Sequence, residues 1–498
     1  MTGEESICIF IAPQKMQRRR HQMMLQATKK KGFNISENLV SKVTHVVTDL
    51  DSLDQAERLL QLSAIKDNFI VISSSWITDC LKAGKVVPIK AAQMLKPNKE
   101  SDTTAEEGQG DPSMPEYVCQ RANPLHHHNK IFTDALEVLE KFADMRDEGS
   151  DYSRALAFRR GACTLKCLPK KVSDIKEIEG LPDIGGHVKR VVKEILDEGF
   201  CTEVEEIRQS EKFKTLKEFT GVYGVGPATA KKWMNLGFRS VYDVIDSDEV
   251  FDPRITEGLT YRHDLNSLVS KVEAVYIEDM VREVAESILP GVTVQVTGGF
   301  RRGKEMGHDV DLLITHPEDG MEKGILSQVI DKLTAKNIIL HGGLEKSTYR
   351  EEILSKRHDS KQTPKTTFDH FEKFIGIMRI PKISPTDETR QKRPKLEPYI
   401  GKGASGIRLD SCERDWAARR VDLIVVPQRQ YYYALFGWTG SRQFNRSARL
   451  YALRKMNMKL TSHGLFDYSK GESIPADSEK EVFRNLQLTY REPSERNA

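Results

Sequence analysis

Branched apolar and polar residues alternate along Val292-Thr-Val-Gln-Val-Thr297, the pattern of a half-buried strand, and the run stops at Gly298-Gly299. Similar patterning predicts strands from His308 through Leu312, Leu313 and Ile314, near 338–341, over 373–380, and along Arg420-Val-Asp-Leu-Ile-Val-Val426. Upstream the period changes. Phe132, Ala135, Leu136, Leu139 and Phe142 recur three and four residues apart, which predicts a helix and opens a helical stretch over 129–200. The first residues alternate between types: a strand at 6–11, a basic helix near 17–31, a strand at 44–48, and a helix entered at Ser73-Ser74-Ser75-Trp76. Such alternation predicts a small α/β domain. Residues 99–116 are polar and acidic with no hydrophobic period, as expected of a flexible linker.

A chain of 498 residues has material for several separate cores. The predicted class is multidomain α/β, divided into a small α/β domain (1–98), the linker (99–116), a helical domain (117–205), a second helical subdomain (206–260), a mixed-sheet core (261–428) and a small α/β C-terminal subdomain (429–498). Lysine and arginine total 76 against 73 aspartates and glutamates, so the net charge of +3 does not by itself advertise a polyanion binder. Local basic clusters at Arg18-Arg19-Arg20, Lys29-Lys30-Lys31, Lys170-Lys171 and 390–395 carry that case, although each reads equally well as a solvated face. Seven scattered cysteines without a Cys-x-x-Cys suit a reducing compartment and no zinc site. No apolar run reaches the ~20 residues of a membrane span and no signal peptide is visible, so an intracellular, soluble protein with no membrane partner is expected. Arg390-Gln-Lys-Arg-Pro-Lys395 reads as a nuclear import string. His126-His127-His128 has no companion ligands nearby and marks the start of the helical domain in preference to a metal tract.

The chemistry concentrates in Gly298-Gly-Phe-Arg-Arg-Gly-Lys-Glu-Met-Gly-His-Asp-Val-Asp311. Glycines at a strand end let backbone N–H groups approach a polyphosphate. Asp309 and Asp311, two apart on a strand, project to one face and can share divalent cations, which prefer carboxylate and phosphate oxygens. Asp-x-Asp alone could be a solvated strand edge, but the glycine pair, Arg301, Arg302 and Lys304 in the same window favour nucleotidyl transfer. Two further glycine turns, Leu181-Pro-Asp-Ile-Gly-Gly-His187 and Gly221-Val-Tyr-Gly-Val-Gly226-Pro-Ala-Thr-Ala-Lys-Lys232, each open a helix whose free N–H groups favour phosphate, as in helix-hairpin-helix contacts with a DNA backbone.

The N-terminal segment resembles a BRCT domain, with Lys31-Gly32-Phe33 before its second strand, Val43-Thr44-His45-Val46-Val47 as its third, and Trp76-Ile77-Thr78-Asp79-Cys80 carrying the helix tryptophan that packs its core. With the paired hairpins, the 298–311 signature and Arg420-Val421-Asp422, essentially the whole chain resembles the family X DNA polymerases. That resemblance implies that Asp309, Asp311 and Asp422 bind two Mg²⁺ or Mn²⁺ ions, with Asp422 as proton acceptor from the primer 3′-hydroxyl. Gly298, Gly299, Arg302, Lys304 and His308 would hold the nucleotide. Gly185, Gly224, Val225, Gly226, Ala228, Thr229, Gly303 and Gly307 would meet DNA together with Arg302, Lys304, His308, Arg442 and Arg446. Carbonyls of Thr220, Val222 and Val225 would hold Na⁺ or K⁺. Gly437-Trp438 in place of a tyrosine-phenylalanine pair implies poor rejection of ribose, with Trp438 stacked near the incoming nucleotide and Arg449 facing the nascent pair. The Gly-Trp pair narrows the resemblance to the mu and terminal-transferase branches, and Ser462-His463-Gly464 with Thr315-His316-Pro317 inclines it to mu. A polar insertion over 342–370 would set template dependence. Val191 stands where lyase-competent relatives carry a Schiff-base lysine, so that lyase activity is expected to be absent. The setting implied is nuclear gap filling of DNA ends in nonhomologous end joining, with deoxynucleoside and ribonucleoside triphosphates as substrates. The Ku heterodimer and the end-joining ligase complex would be reached through Arg18, Arg19 and Arg20. A template-independent terminal transferase and a non-catalytic DNA-end scaffold are the rival readings.

Overall fold

The structure is a computed structural model that describes residues 7–13, 16, 18–40, 42–50, 53, 56, 70–90, 93–95, 114–146, 151–355, 369–382, 399–403, 407–409 and 414–498, with backbone alone at 18–20, 151, 152, 408 and 409. The side chains of Arg18, Arg19 and Arg20, nearly all of the 99–116 linker, and the 390–395 basic string lie outside the described residues. Two compact units divide the chain, Met1–Gly110 and Asp111–Ala498.

In the first unit the strands Ile9–Ile11, Ile35–Ser36, His45–Thr48 and Ile70–Ser73 form a parallel sheet in the order second, first, third, fourth. Helix Arg18–Lys30 connects the first two strands, and helix Ser74–Ala83 follows the fourth. Ser73 caps the second helix by accepting from the Ser75 N–H, which satisfies one orphan donor of its first turn. Trp76 is fully buried, stacks on His45 with ring centroids 5.3 Å apart, and donates its indole N–H to the Val87 carbonyl.

The second unit opens with helices. Lys130–Arg146 buries Phe132, Ala135, Leu136 and Leu139 on the face their spacing predicts, against Asp151–Lys166 and Gly186–Glu198. Helices Glu211–Thr220 and Pro227–Asn235 share a separate core around Phe219 and Trp233. A buried ionic cluster joins this region to the sheet that follows. Asp264 accepts from Arg414 at 2.5 Å and from the Ala418 N–H at 2.8 Å, while Arg419 donates to Glu273 and to the Asp264 carbonyl. The charges are nearly dry and are paired with one another.

The central sheet runs Thr293–Val296, Val310–Thr315, Trp416–Val425, Glu372–Pro381, Ile339–Glu345, with one parallel pair, Val310–Thr315 beside Trp416–Val425, among antiparallel neighbours. Helices Lys271–Glu286 and Ile325–Ala335 cover it through a core that includes Val281, Leu312, Val329 and Leu423. One expectation is corrected here: the strand does not end near 341 with the insertion opening at Gly342, but continues to Glu345. Gly342 faces Gly376 across the ladder, and a Cβ at either would overlap the Phe374 ring. The glycine pair is a slot for an aromatic side chain, not a chain break. Residues 356–368 of the insertion lie outside the described residues.

Candidate active site

The turn after the Thr293–Val296 strand is tied directly to the strand that carries the acids. Thr297, wholly buried, donates to the Asp311 carbonyl through both its N–H (2.9 Å) and its hydroxyl (3.1 Å). Gly298 and Gly299, where the strand run stops, then enter a short helix, Gly298–Arg301. Gly298 has φ +59°, and a Cβ there would stand 2.5 Å from Asp311 Oδ2. Only glycine lets backbone and carboxylate approach this closely. Behind it, Lys304 N–H donates to the Gly299 carbonyl and closes the loop.

Asp311 and Asp422 are direct partners across the parallel ladder, and Asp309 lies just before the same strand as Asp311. Asp422 is 8% exposed, and its Oδ1 is buried with no hydrogen-bond partner. Burial, then Asp309 and Asp422, push the Asp311 carboxyl up to about 8. Burial also raises Asp422, to about 6, against the pull of Arg420. Three carboxylates forced together in a poorly hydrated place are a site for added positive charge. Arg420 supplies one here, 2.5 Å from Asp309 Oδ2 and 3.8 Å from Asp422 Oδ2. With Asp309 turned onto Arg420, no group of three acidic, histidine or cysteine side chains among the described residues stands in metal-holding geometry. The donor set, the orphaned Asp422 oxygen and the guanidinium in the cation's place fit a divalent cation nonetheless. His308 is exposed beside Asp309.

The cradle's two arginines have different duties. Arg301 donates to the Thr439 hydroxyl at 2.5 Å and to both oxygens of Glu479, which also accepts from the fully buried Arg496 at 2.6 Å. Arg302 donates to the Thr439 carbonyl and to Asn497, leaving Nη2 towards Gly299. Burial lowers the pKa of Arg302 and of Lys304. Gly303 takes φ +90° at the bend, and Gly307 leaves room for the Phe300 ring, which a Cβ would meet at 2.8 Å.

Helices Tyr431–Thr439 and Arg442–Met456 carry Gly437, Trp438, Arg442, Arg446 and Arg449, with Ser441 capping the second. A Cβ on Gly437 would stand 2.7 Å from Ser462 Oγ and 3.3 Å from Ser462 Cβ, so Ser462 already occupies the space beside this glycine. Asn445 donates to the Gly437 carbonyl at 2.6 Å. Trp438 packs against the cluster that includes Leu313, Phe371 and Ile424, and its indole nitrogen is buried without a partner. Arg446 has a buried, partnerless Nη1, Arg442 lies 3.7 Å from Asp144, and burial lowers Arg449 to about 10. His463, which the sequence marks only as inclining the resemblance to mu, has a structural place of its own. Its ring accepts from the His370 N–H, pairs with Gln430, stacks on Tyr349 and packs at a tilt against Phe371, so it holds both flanks of the insertion. Burial drives its pKa down to about 3.

Both hairpin glycines, Gly185 and Gly226, cap their helices without a side-chain hydrogen bond and face open space. Ala228 is exposed and Thr229 half-buried on the first turn of the second helix, and Gly224 takes φ +86° ahead of it. Within the same turn the Val222 carbonyl accepts from Val225 N–H at 3.0 Å, and the Thr220 hydroxyl donates to the Leu216 carbonyl.

A mixed sheet presenting three acids beside a glycine-arginine cradle, on a unit with two glycine-opened hairpins, defines a nucleotidyltransferase built to work on DNA. Similarity to known proteins agrees. Residues 5–81 match the BRCT (BRCA1 C Terminus) domain, 127–201 a helix-hairpin-helix domain, 217–266 the fingers domain of DNA polymerase lambda, 269–428 the DNA polymerase beta palm and 434–497 the DNA polymerase beta thumb. The DNA nucleotidylexotransferase of Xenopus laevis is 36% identical over 503 residues, covering 99% of this chain and 94% of the relative. The DNA-directed DNA/RNA polymerase mu of Homo sapiens is 35% identical over 501 residues, with 99% and 94% covered. The chain belongs to the family X DNA polymerases.

Proposed function

We propose that this polymerase is template-directed and mu-like, adding deoxynucleotides and ribonucleotides to a primer 3′-hydroxyl to fill gaps at DNA ends. Asp309, Asp311 and Asp422 would hold two Mg²⁺ or Mn²⁺ ions, which when bound polarise the α-phosphate and acidify the attacking hydroxyl. Asp422 accepts the hydroxyl proton as the 3′-oxygen bonds to the α-phosphorus, the α–β anhydride bond breaks and pyrophosphate leaves. Arg302 and Lys304 face the charge that develops on the leaving oxygens, and His308 faces the triphosphate. Trp438, Arg442, Arg446 and Arg449 flank the nascent pair. The hairpins at Gly185 and Gly226 grip DNA phosphates, the second with Na⁺ or K⁺ on the carbonyls of Thr220, Val222 and Val225. Val191, wholly buried in its helix and without an amine, supports the absence of deoxyribose-phosphate lyase activity. A nuclear setting in nonhomologous end joining, with Ku and the end-joining ligase complex met through the BRCT unit, completes the reading.

Gly437 is the observation that carries the use of both sugars: no side chain stands there to reject a 2′-hydroxyl, and Ser462 leaves none room. Primer extension decides it. Templated gaps should be filled with both sugar types at comparable kcat/KM, whereas bare single-stranded primers should be extended poorly. Efficient extension without a template would replace this reading with the terminal-transferase one.

A further inference from the structure

Arg302 is clamped from two sides. Its Nη1 donates to the Thr439 carbonyl at 2.5 Å, beneath Gly440, where a Cβ would stand 3.1 Å from that nitrogen. Its Nε donates to Asn497 Oδ1, and Asn497 Nδ2 donates back to the Arg302 carbonyl, both at 3.2 Å. Asn497 is itself fixed. It is 8% exposed, its Nδ2 also donates to the Ser494 carbonyl, and its backbone N–H donates to the carbonyl of the fully buried Asn123. One amide therefore reads Arg302 by side chain and backbone at once, and only Nη2 is left facing the Gly299 side of the cradle, 3.9 Å from where a Gly299 Cβ would stand.

We propose that Asn497 is a positioning residue for nucleotidyl transfer, which fixes Arg302 so that Nη2 meets the leaving phosphates. The inference rests on the reading of Arg302 as a phosphate ligand. A free arginine carries about 2 kcal/mol of rotamer entropy, and a donor held before the charge develops needs no reorganisation when it does. Thr439 cannot do this alone, because a single bond to Nη1 leaves the guanidinium free to swing about it. Asn497 adds the second point and ties the side chain to its own backbone.

The test measures the KM for a deoxynucleoside triphosphate, inhibition by pyrophosphate, DNA affinity and Tm in the full chain for N497A, N497D, R302A and N497A/R302A. N497A should raise KM and the pyrophosphate inhibition constant together, by about fivefold to tenfold, at unchanged DNA affinity. N497D, close to isosteric, should do the same, because its carboxylate competes for Arg302, and it preserves the test if alanine fails to fold. In the R302A background, N497A should add nothing. If R302A leaves pyrophosphate inhibition unchanged, the phosphate role of Arg302 falls and this inference with it. If R302A weakens inhibition but N497A and N497D do not, or if the two substitutions multiply, Asn497 has no positioning role. A lowered Tm with unchanged KM and inhibition constant overturns it equally.

Discussion

Asp311 ionises against the loss of water and against two neighbouring carboxylates, which is why its pKa stands near 8. Its folded value lies above the unfolded one near 4, so between those values the native state binds the extra proton. Metal-free stability is then highest at the acid side of this window and falls as pH rises through it. Asp311→Asn removes the penalty. Its expected signature is a loss of nucleotidyl transfer of at least about 10²-fold together with a higher metal-free Tm at pH 8. An unchanged or lower Tm would show that the three acids do not repel one another in the free protein. At Gly437, an added methyl group must displace Ser462, and overpacking of this kind costs roughly 1–3 kcal/mol. Gly437→Ala should therefore lower efficiency with both sugars, while Gly437→Ala with Ser462→Gly should recover deoxynucleotide addition and reject ribonucleotides. If the double variant still takes both sugars equally, Gly437 does not set sugar choice.

At the scale of elements, two buried contacts hold the C-terminal helices on the sheet. Burial alone would raise Glu479, but hydrogen bonds from Arg301 and Arg496 keep it ionised below its ordinary value. Removing that charge while both arginines stay dry should cost about 3–5 kcal/mol, read as a lower Tm for Glu479→Ala. Wild-type stability from this cluster is present above the ordinary glutamate range and is lost as pH falls through the depressed value. His463 follows the same sign. Its folded pKa near 3 lies below the unfolded value near 6.5, so protonation of the unfolded chain erodes stability as pH falls through that interval. His463→Gln should flatten the decline between pH 6.5 and 4.5 by about 1–2 kcal/mol, and parallel unfolding curves for the two proteins would refute it. Neither contact was legible in the sequence, and the reason is separation. The strand-turn-strand from Val292 to Asp311 and the apolar strand around Asp422 are local patterns, so their acids and glycines could be read from spacing. Arg302 and Asn497 are 195 residues apart, and His370 and His463 are 93 apart. No period or motif relates such pairs, and the tertiary fold alone brings them together. The same separation hides the strand's continuation through Gly342, because the Phe374 ring that fills the space beside it lies on another strand.

At the scale of the whole molecule, each unit has its own core. The clusters around Val46 and around Trp76 contain only residues of the first unit, and every other buried cluster among the described residues lies within Asp111–Ala498. Both carboxylate strands, the cradle, both hairpins and the helices Tyr431–Thr439 and Arg442–Met456 belong to the second unit. A chain lacking residues 1–110 should therefore keep its Tm for the main transition and fill a short gap in duplex DNA with kcat/KM within about twofold of the full chain, since surface changes away from a core shift stability by only about 0.5 kcal/mol. Salt should weaken DNA binding by the two forms with the same slope, because that slope counts the phosphates neutralised and the hairpins remain. What the shortened chain should lose is any gain in activity from an end-binding partner. Primer extension on broken ends, with and without that partner, separates the two roles: a shortened chain slow on simple gaps would mean that the first unit completes the DNA site, and one still stimulated by the partner would remove the BRCT unit from recruitment.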